Sequence, residues 1–207
     1  ENATDGNVYL YELGESQFVA RDTSAIAQDG TFRFEGSVEE PTFYRLGLDQ
    51  QNAVMLVLEN KDISLAADAS DLATTAKVEG SEDTKLLQEW FRLNEELKKK
   101  EAELTPKFNE ATAAGDEAKV EELREEYMGY RKKLRDFIAE HPGSLASIFG
   151  ILSFVNPVEE FAFADSMVTL YTEKLPDSKY TAMLNEQLNA LRRTAVGAMA
   201  PDITLPT

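Results

Sequence analysis

The feature that most constrains this chain is a change of hydrophobic period at Gly80-Ser81. Upstream, apolar residues alternate or run in short blocks between turn residues, as strands require; downstream they return every three or four positions, as helices require. Asn7-Val8-Tyr9-Leu10-Tyr11-Glu12-Leu13 is rich in strand formers, with apolar residues on both faces. Asp29-Gly30 signals a two-residue hairpin, followed by Thr31-Phe32-Arg33-Phe34-Glu35 with Phe32 and Phe34 on one face. Pro41 marks a boundary before Thr42-Phe43-Tyr44-Arg45-Leu46-Gly47-Leu48. Ala53-Val54-Met55-Leu56-Val57-Leu58 is continuously apolar, which predicts a central strand covered on both sides. Asn60-Lys61-Asp62 turns the chain into Ile63-Ser64-Leu65, and Lys77-Val78-Glu79 makes a short last strand. About seven short strands between turn signals predict an antiparallel β-sandwich or barrel over residues 1–80.

Beyond the switch, residues 81–197 read as helical. Ser81 is a good N-cap, and Glu82 and Asp83 suit the positive end of a helix dipole. Leu86, Trp90, Leu93, Leu97, Leu104 and Phe108 lie on one stripe, which Pro106 is expected to kink or break near Thr105. Ala113-Ala114-Gly115-Asp116 makes a turn with Asp116 as the next cap. Val120, Leu123, Tyr127, Tyr130, Leu134 and Phe137 then give a second stripe, ended by His141-Pro142-Gly143. Two stripes joined by a short loop predict a long antiparallel helical hairpin over 82–140. Three further helices follow: Leu145 to Val155, capped by Ser144; one with Pro157 at its first position, running to about Lys174; and one opened by Pro176-Asp177, ending near Gly197. The fold class is therefore α+β. Nothing in the sequence is long and apolar enough to span a membrane.

Composition narrows the chemistry. The 207 residues include no cysteine and one histidine, which removes thiol nucleophiles, disulfides and Cys- or His-rich metal sites from this chain. A net charge of −17 argues against nucleic acid and anionic membrane surfaces. Residues 1–81 hold 15 acidic and 5 basic residues, whereas residues 82–140 hold 16 and 12, so the acidity is concentrated in the β region.

Carboxylates are the only abundant reactive groups. Glu39-Glu40, Glu95-Glu96, Glu121-Glu122, Glu125-Glu126 and Glu159-Glu160 fall mostly on polar helix faces and read as solvated surface rather than a glycosidase pair. His141 at a helix end reads as a cap for free carbonyls. Asp49, Asp62 and Asp68 are loop carboxylates open to calcium, but no calcium-loop or phosphate-loop motif accompanies them. Trp90, Phe91, Tyr9, Tyr11 and Tyr44 read as core, with a ligand-lining aromatic surface as the other option. Asn2-Ala3-Thr4 fits the glycosylation pattern on three residues alone. No catalytic, cofactor-binding or metal-binding residue is assigned.

The order of these pieces resembles a known arrangement. The residues that carry it are Asn7-Val8-Tyr9-Leu10-Tyr11, Asp29-Gly30-Thr31-Phe32-Arg33-Phe34-Glu35-Gly36, the turn from Leu58-Glu59-Asn60 to Ile63, Val78-Glu79-Gly80-Ser81, and Phe137-Ile138 through Ser144. The tail Val196-Gly197-Ala198-Met199-Ala200-Pro201-Asp202-Ile203-Thr204-Leu205-Pro206 is similar to the start of a thioredoxin-like domain. Together they resemble the N-terminal domain of unknown function in envelope thiol–disulfide oxidoreductases of Bacteroidetes, the TlpA and AhpC/TSA-like group. The resemblance implies a non-catalytic accessory chain that positions or dimerises a redox domain or recognises client proteins. Residues 198–207 would then begin that redox domain, with its cysteine motif further on. It also implies a periplasmic or envelope location, a lipoprotein-type signal upstream and a further first strand before Glu1. The competing expectation is a stand-alone acidic sandwich that captures a glycan or calcium in a concave pocket of residues 1–80.

Overall fold

A computed structural model describes residues 6–14 and 17–194. Six strands and six helices follow in the order β1 Asn7–Leu13, β2 Phe18–Ala25, β3 Thr42–Gly47, β4 Ala53–Leu58, β5 Ser64–Ala66, α1 Leu72–Thr75, β6 Lys77–Glu79, α2 Glu82–Ala114, α3 Glu117–Glu140, α4 Leu145–Phe154, α5 Phe161–Lys174 and α6 Lys179–Thr194. The fold is α+β, but the β part is not a seven-stranded sandwich. It is an antiparallel four-stranded sheet in the order β2-β1-β3-β4 and a separate two-stranded sheet of β5 and β6.

Two differences account for this. Ala27 N donates to the Thr31 carbonyl and Gly30 adopts a φ of 80°, so the Asp29-Gly30 turn forms. The run Thr31–Glu35 beyond it nevertheless joins no ladder among the described residues, and touches β2 only where Arg33 N donates to Ser24 Oγ. β2, which has no clean alternation, is the strand that pairs with β1, across an irregularity between Leu10 and Tyr11. β4 is likewise an edge strand rather than a central one, though both its faces are covered.

The first turn of α2 closes that edge. Thr84 Oγ1 accepts from Val57 N at 2.9 Å, and the Ser81 and Thr84 hydroxyls each lie 3.1 Å from the Val57 carbonyl. Ser81 Oγ also accepts from Thr84 N as the N-cap. All these groups are buried, so at Val57 the helix start supplies the hydrogen bonds a fifth strand would have made.

Strand alternation gives the sheet two apolar faces. Leu13, Phe43, Met55 and Val57 join the main core with Trp90, Phe137, Ile138, Ile148, Tyr171 and Tyr180 from the helices. Val8, Leu10, Tyr44, Leu46, Val54 and Leu56 form a second core on the other face, with Leu72 and Val78. Gly150 lets α4 approach α2 and α3: a Cβ there would lie 2.8 Å from Ile138 Cγ1 and 3.1 Å from Trp90 Cζ3.

The hairpin of α2 and α3 turns at Gly115 and Asp116, with Asp116 capping Lys119 N. Its far end has its own small cluster of Leu104, Ala111 and Leu123. Pro106 does not break α2, which continues to Ala114. One further boundary differs from expectation: α5 begins at Phe161, and Pro157 lies in a preceding turn where Val158 N donates to Asn156 Oδ1. The tail from 195 onward and Asn2-Ala3-Thr4 lie outside the described residues.

Candidate functional site

A trough of about 1700 Å³ lies on the face of the four-stranded sheet opposite the one that packs on α2–α6, with Leu72 of α1 in its lining. Alternation in β1, β3 and β4 puts Val8, Leu10, Leu46 and Leu56 at its base, where they are buried. Above them the half-buried Phe32, Phe34, Val38, Leu58 and Ile63 line the opening. Phe32 and Phe34 meet edge-to-face with ring centroids 6.0 Å apart.

One wall is the run from Ala27 to Val38 and the other runs from Glu59 to Ala69. Asn60 joins the two walls, because Val38 N donates to Asn60 Oδ1 at 2.9 Å and Asn60 Nδ2 donates to the Val38 carbonyl at 2.8 Å. This side chain imitates the paired bonds of a β-bridge between the walls. Apart from that clamp, no backbone hydrogen bond is made by Phe34 to Ser37 among the described residues. β5 pairs with β6 on one side only.

Charged residues around the trough divide unequally. Arg21 pairs with Glu12 at 2.7 Å, Arg33 with Glu35 at 2.7 Å, and Lys61 with Glu59 at 2.9 Å. Asp22, Asp29 and Asp62 also line it, and no cation pairs with them among the described residues. The Asp29 carboxyl is held below the ordinary aspartate range, first by the Thr31 hydroxyl and then by Thr31 N, so it stays ionised.

Glu12 connects the trough to the helices. Its Oε2 accepts from Arg21 Nε at 2.7 Å and Tyr44 OH at 3.1 Å, while Lys179 Nζ from α6 approaches Oε1 at 3.7 Å. Burial works against ionisation of Glu12, but the Arg21 and Tyr44 hydrogen bonds and the Arg21 and Lys179 charges outweigh it and hold the carboxyl below 4.5. Burial and the adjacent Glu12 charge push the Tyr44 phenol up to about 12, so it remains a donor.

A smaller cleft, about 350 Å³, holds Asp83, His141 and Ser144, a Ser/His/Asp set on the face of it. The geometry does not make a nucleophile. Ser144 Oγ donates to Asp83 Oδ1 and accepts from Ala146 N as the α4 N-cap, so the hydroxyl is committed. Asp83 Oδ1 also accepts from Leu145 N at 3.0 Å. Burial raises the Asp83 carboxyl above its ordinary value, against the opposing Ser144 and Leu145 bonds. The His141 ring packs against Phe137 at 4.8 Å with the planes tilted by 57°, beside the helix end it terminates, and bonds to no carbonyl among the described residues.

The aromatic candidates are scattered. Trp90 is core, Phe91 lies edge-to-face with Phe149, and Tyr9 and Tyr11 sit on the sheet face opposite the trough. Of the five only Tyr44 lines the trough. The loop carboxylates have local partners: Asp49 accepts from Gln51 N and Asn52 N, and Asp68 from Ser70 N and its hydroxyl. No group of three or more His, Asp or Glu side chains converges among the described residues. The competing expectation places a concave pocket within residues 1–80, as found; which stretches wall it depends on backbone left unpaired, which side-chain pattern does not report. No helix among the described residues is long and apolar enough to cross a membrane. No curated protein and no solved structure matches this chain. Residues 1–87 match the family model for a domain of unknown function, DUF4369.

Proposed function

We propose that this chain is the non-catalytic accessory part of a periplasmic or envelope thiol–disulfide oxidoreductase, where it holds or dimerises the redox domain or recognises its client proteins. The observation that carries this reading is the closing run Val196 to Pro206, similar to the start of a thioredoxin-like domain, in a chain whose first 87 residues match DUF4369. The fold is compatible with a positioning role. α6 is fixed to the sheet at its beginning: Phe43 N donates to Tyr180 OH at 3.3 Å, and Lys179 N donates to Glu40 Oε2 at 3.0 Å. A domain following α6 would therefore start from an anchored helix.

Insulin reduction by this chain with dithiothreitol is expected to stay at the uncatalysed rate; turnover above it overturns the accessory reading. The reading frame beyond Thr207 gives a second check, with a cysteine motif expected and a stop codon decisive against it. The trough favours one alternative, a stand-alone module that captures a ligand. Thermal shift against calcium and a glycan panel tests that version, since a ligand that binds only the folded state raises the midpoint.

A further inference from the structure

We propose that the trough on the β layer binds an extended segment of a client polypeptide, with apolar residues alternating with Lys or Arg, as an added strand. This deepens the client-recognition reading above and rests on it. Three observations converge. Size is the first: about 1700 Å³ exceeds the roughly 300–1,000 Å³ of pockets that enclose small ligands. An opening of this volume, lined by separate stretches of the β layer, suits a length of chain.

The second is main-chain chemistry. Phe34 to Ser37 and Ser64–Ala66 of β5 line the same opening; among the described residues the first stretch has no strand beside it and β5 has one on one side alone. Unpaired backbone groups beside an opening with both polar and apolar lining are satisfied best by another extended backbone, which is the basis of strand addition at sheet edges. A rigid apolar ligand or a lipid tail would cover Phe32, Phe34 and Ile63 and leave those groups without partners.

Charge is the third. Each of the three cations around the trough is already paired with its own carboxylate, whereas Asp22, Asp29 and Asp62 have no cationic partner among the described residues. The surplus is entirely negative, in a chain of net charge −17. A strand that turns apolar side chains toward Phe34, Leu58 and Ile63 would turn alternate side chains to this rim, where Lys or Arg complements it.

The test is fluorescence anisotropy of a labelled eight-residue Val-Lys alternating peptide titrated with the whole chain. Saturable binding is expected. It should weaken ~5–10-fold in the Asp22→Asn/Asp62→Asn variant, whose exposed changes leave folding intact by circular dichroism. A Val-Glu alternating peptide and a Val-Lys peptide N-methylated at alternate amides are both expected to bind at least ~10-fold more weakly. Amide exchange should slow at 34–37 and 64–66 when the Val-Lys peptide is present. No saturable binding, equal binding of the Val-Glu peptide, or indifference to N-methylation overturns the proposal. So does a concentration-dependent dimer that the peptide fails to disperse, since it gives the trough to a second copy. This titration and the insulin assay fail separately: turnover by the chain removes the accessory reading, whereas absent peptide binding removes only the client segment.

Discussion

Two buried threonines show how far a residue's effect depends on its partner. Thr84 completes the hydrogen bonding of Val57 across the junction between β4 and α2, whereas Thr181 Oγ1 is buried with no partner among the described residues. Thr84→Val strands the Val57 N–H and is expected to cost ~1–3 kcal/mol in urea unfolding, because the orphaned donor has no water to turn to. Thr181→Val removes a hydroxyl that satisfies nothing, and the same experiment should give equal or higher stability. Two acids make a similar contrast in their pH dependence. Glu12 is held below 4.5, so its stabilisation is complete above that unfolded value and is lost as pH falls through the lower folded one. Asp83 is raised above 3.8 by burial, so its stabilisation is present below 3.8 and lost as pH climbs past the folded value. The deficit of Glu12→Gln should therefore be largest near neutrality and close as the pH falls through the lowered folded value, while Asp83→Asn should compare better with the parent near neutrality than in acid. Unfolding midpoints measured across that range check both. The caps Ser81, Asp116 and Ser144 were legible in the sequence because capping is settled within three residues. The second task of Ser81 and Thr84, closing a strand edge, depends on β4 arriving from more than twenty residues away, and nothing local announces it.

At the scale of elements, period identified nearly every helix, and it misread two parts of the β region for different reasons. Thr31–Glu35 has ideal alternation, but a strand exists only where a neighbouring strand's backbone exchanges bonds with it, and here the partners are the Asp29-Gly30 turn at Thr31 and the Ser24 hydroxyl at Arg33. β2 has the partner without the pattern, because most of its side chains are exposed and only its backbone is committed. Pro106 illustrates the converse, a strong local signal overruled by its surroundings. It leaves the Ala102 carbonyl without its helical N–H, yet α2 persists because Leu104 and Ala111 on either side are buried against Leu123 of α3. The i,i+3 and i,i+4 pairs of Glu103 with Lys100 and Lys107 bracket the same turn, and hold the Glu103 carboxyl down to about 2. Pro106→Ala restores the missing bond at no packing cost and is expected to raise the thermal midpoint and slow amide exchange around 102–110. An unchanged midpoint would mean that the proline's cost is absorbed elsewhere in the hairpin. Gly150 is the opposite case: Gly150→Ala should cost ~1–3 kcal/mol despite its gain in helix propensity, because Ile138 and Trp90 are too closely packed to move aside.

For the whole molecule, the switch of period at Gly80-Ser81 divides the secondary structure but not the core. Phe43 and Val57 are wholly buried, and what covers them is helical: Phe149 meets Phe43 edge-to-face at 5.6 Å, and Tyr180 lies against it at 4.8 Å. The main apolar cluster thus runs from Phe43 through Trp90 and Tyr171 to Leu188, across the boundary at which the sequence changes period. The match to DUF4369 stops at residue 87, within α2 and before Trp90. A polypeptide ending there would keep the Ser81 and Thr84 bonds to β4 but would expose one full face of the sheet, including Phe43, Met55 and Val57. With about 25 cal/mol lost per Å² of apolar surface left in water, and the trough on the other face already open, four strands of this length have too little burial to offset their ordering. Residues 1–87 alone are therefore expected to show no cooperative thermal transition, whereas the whole chain unfolds in one step that includes the sheet and α4–α6. Calorimetry and near-ultraviolet circular dichroism of both polypeptides decide the point. A sharp transition in the short one would make the β layer a separate folding unit, and would leave the helices as a cover that can lift from Phe43 without unfolding it.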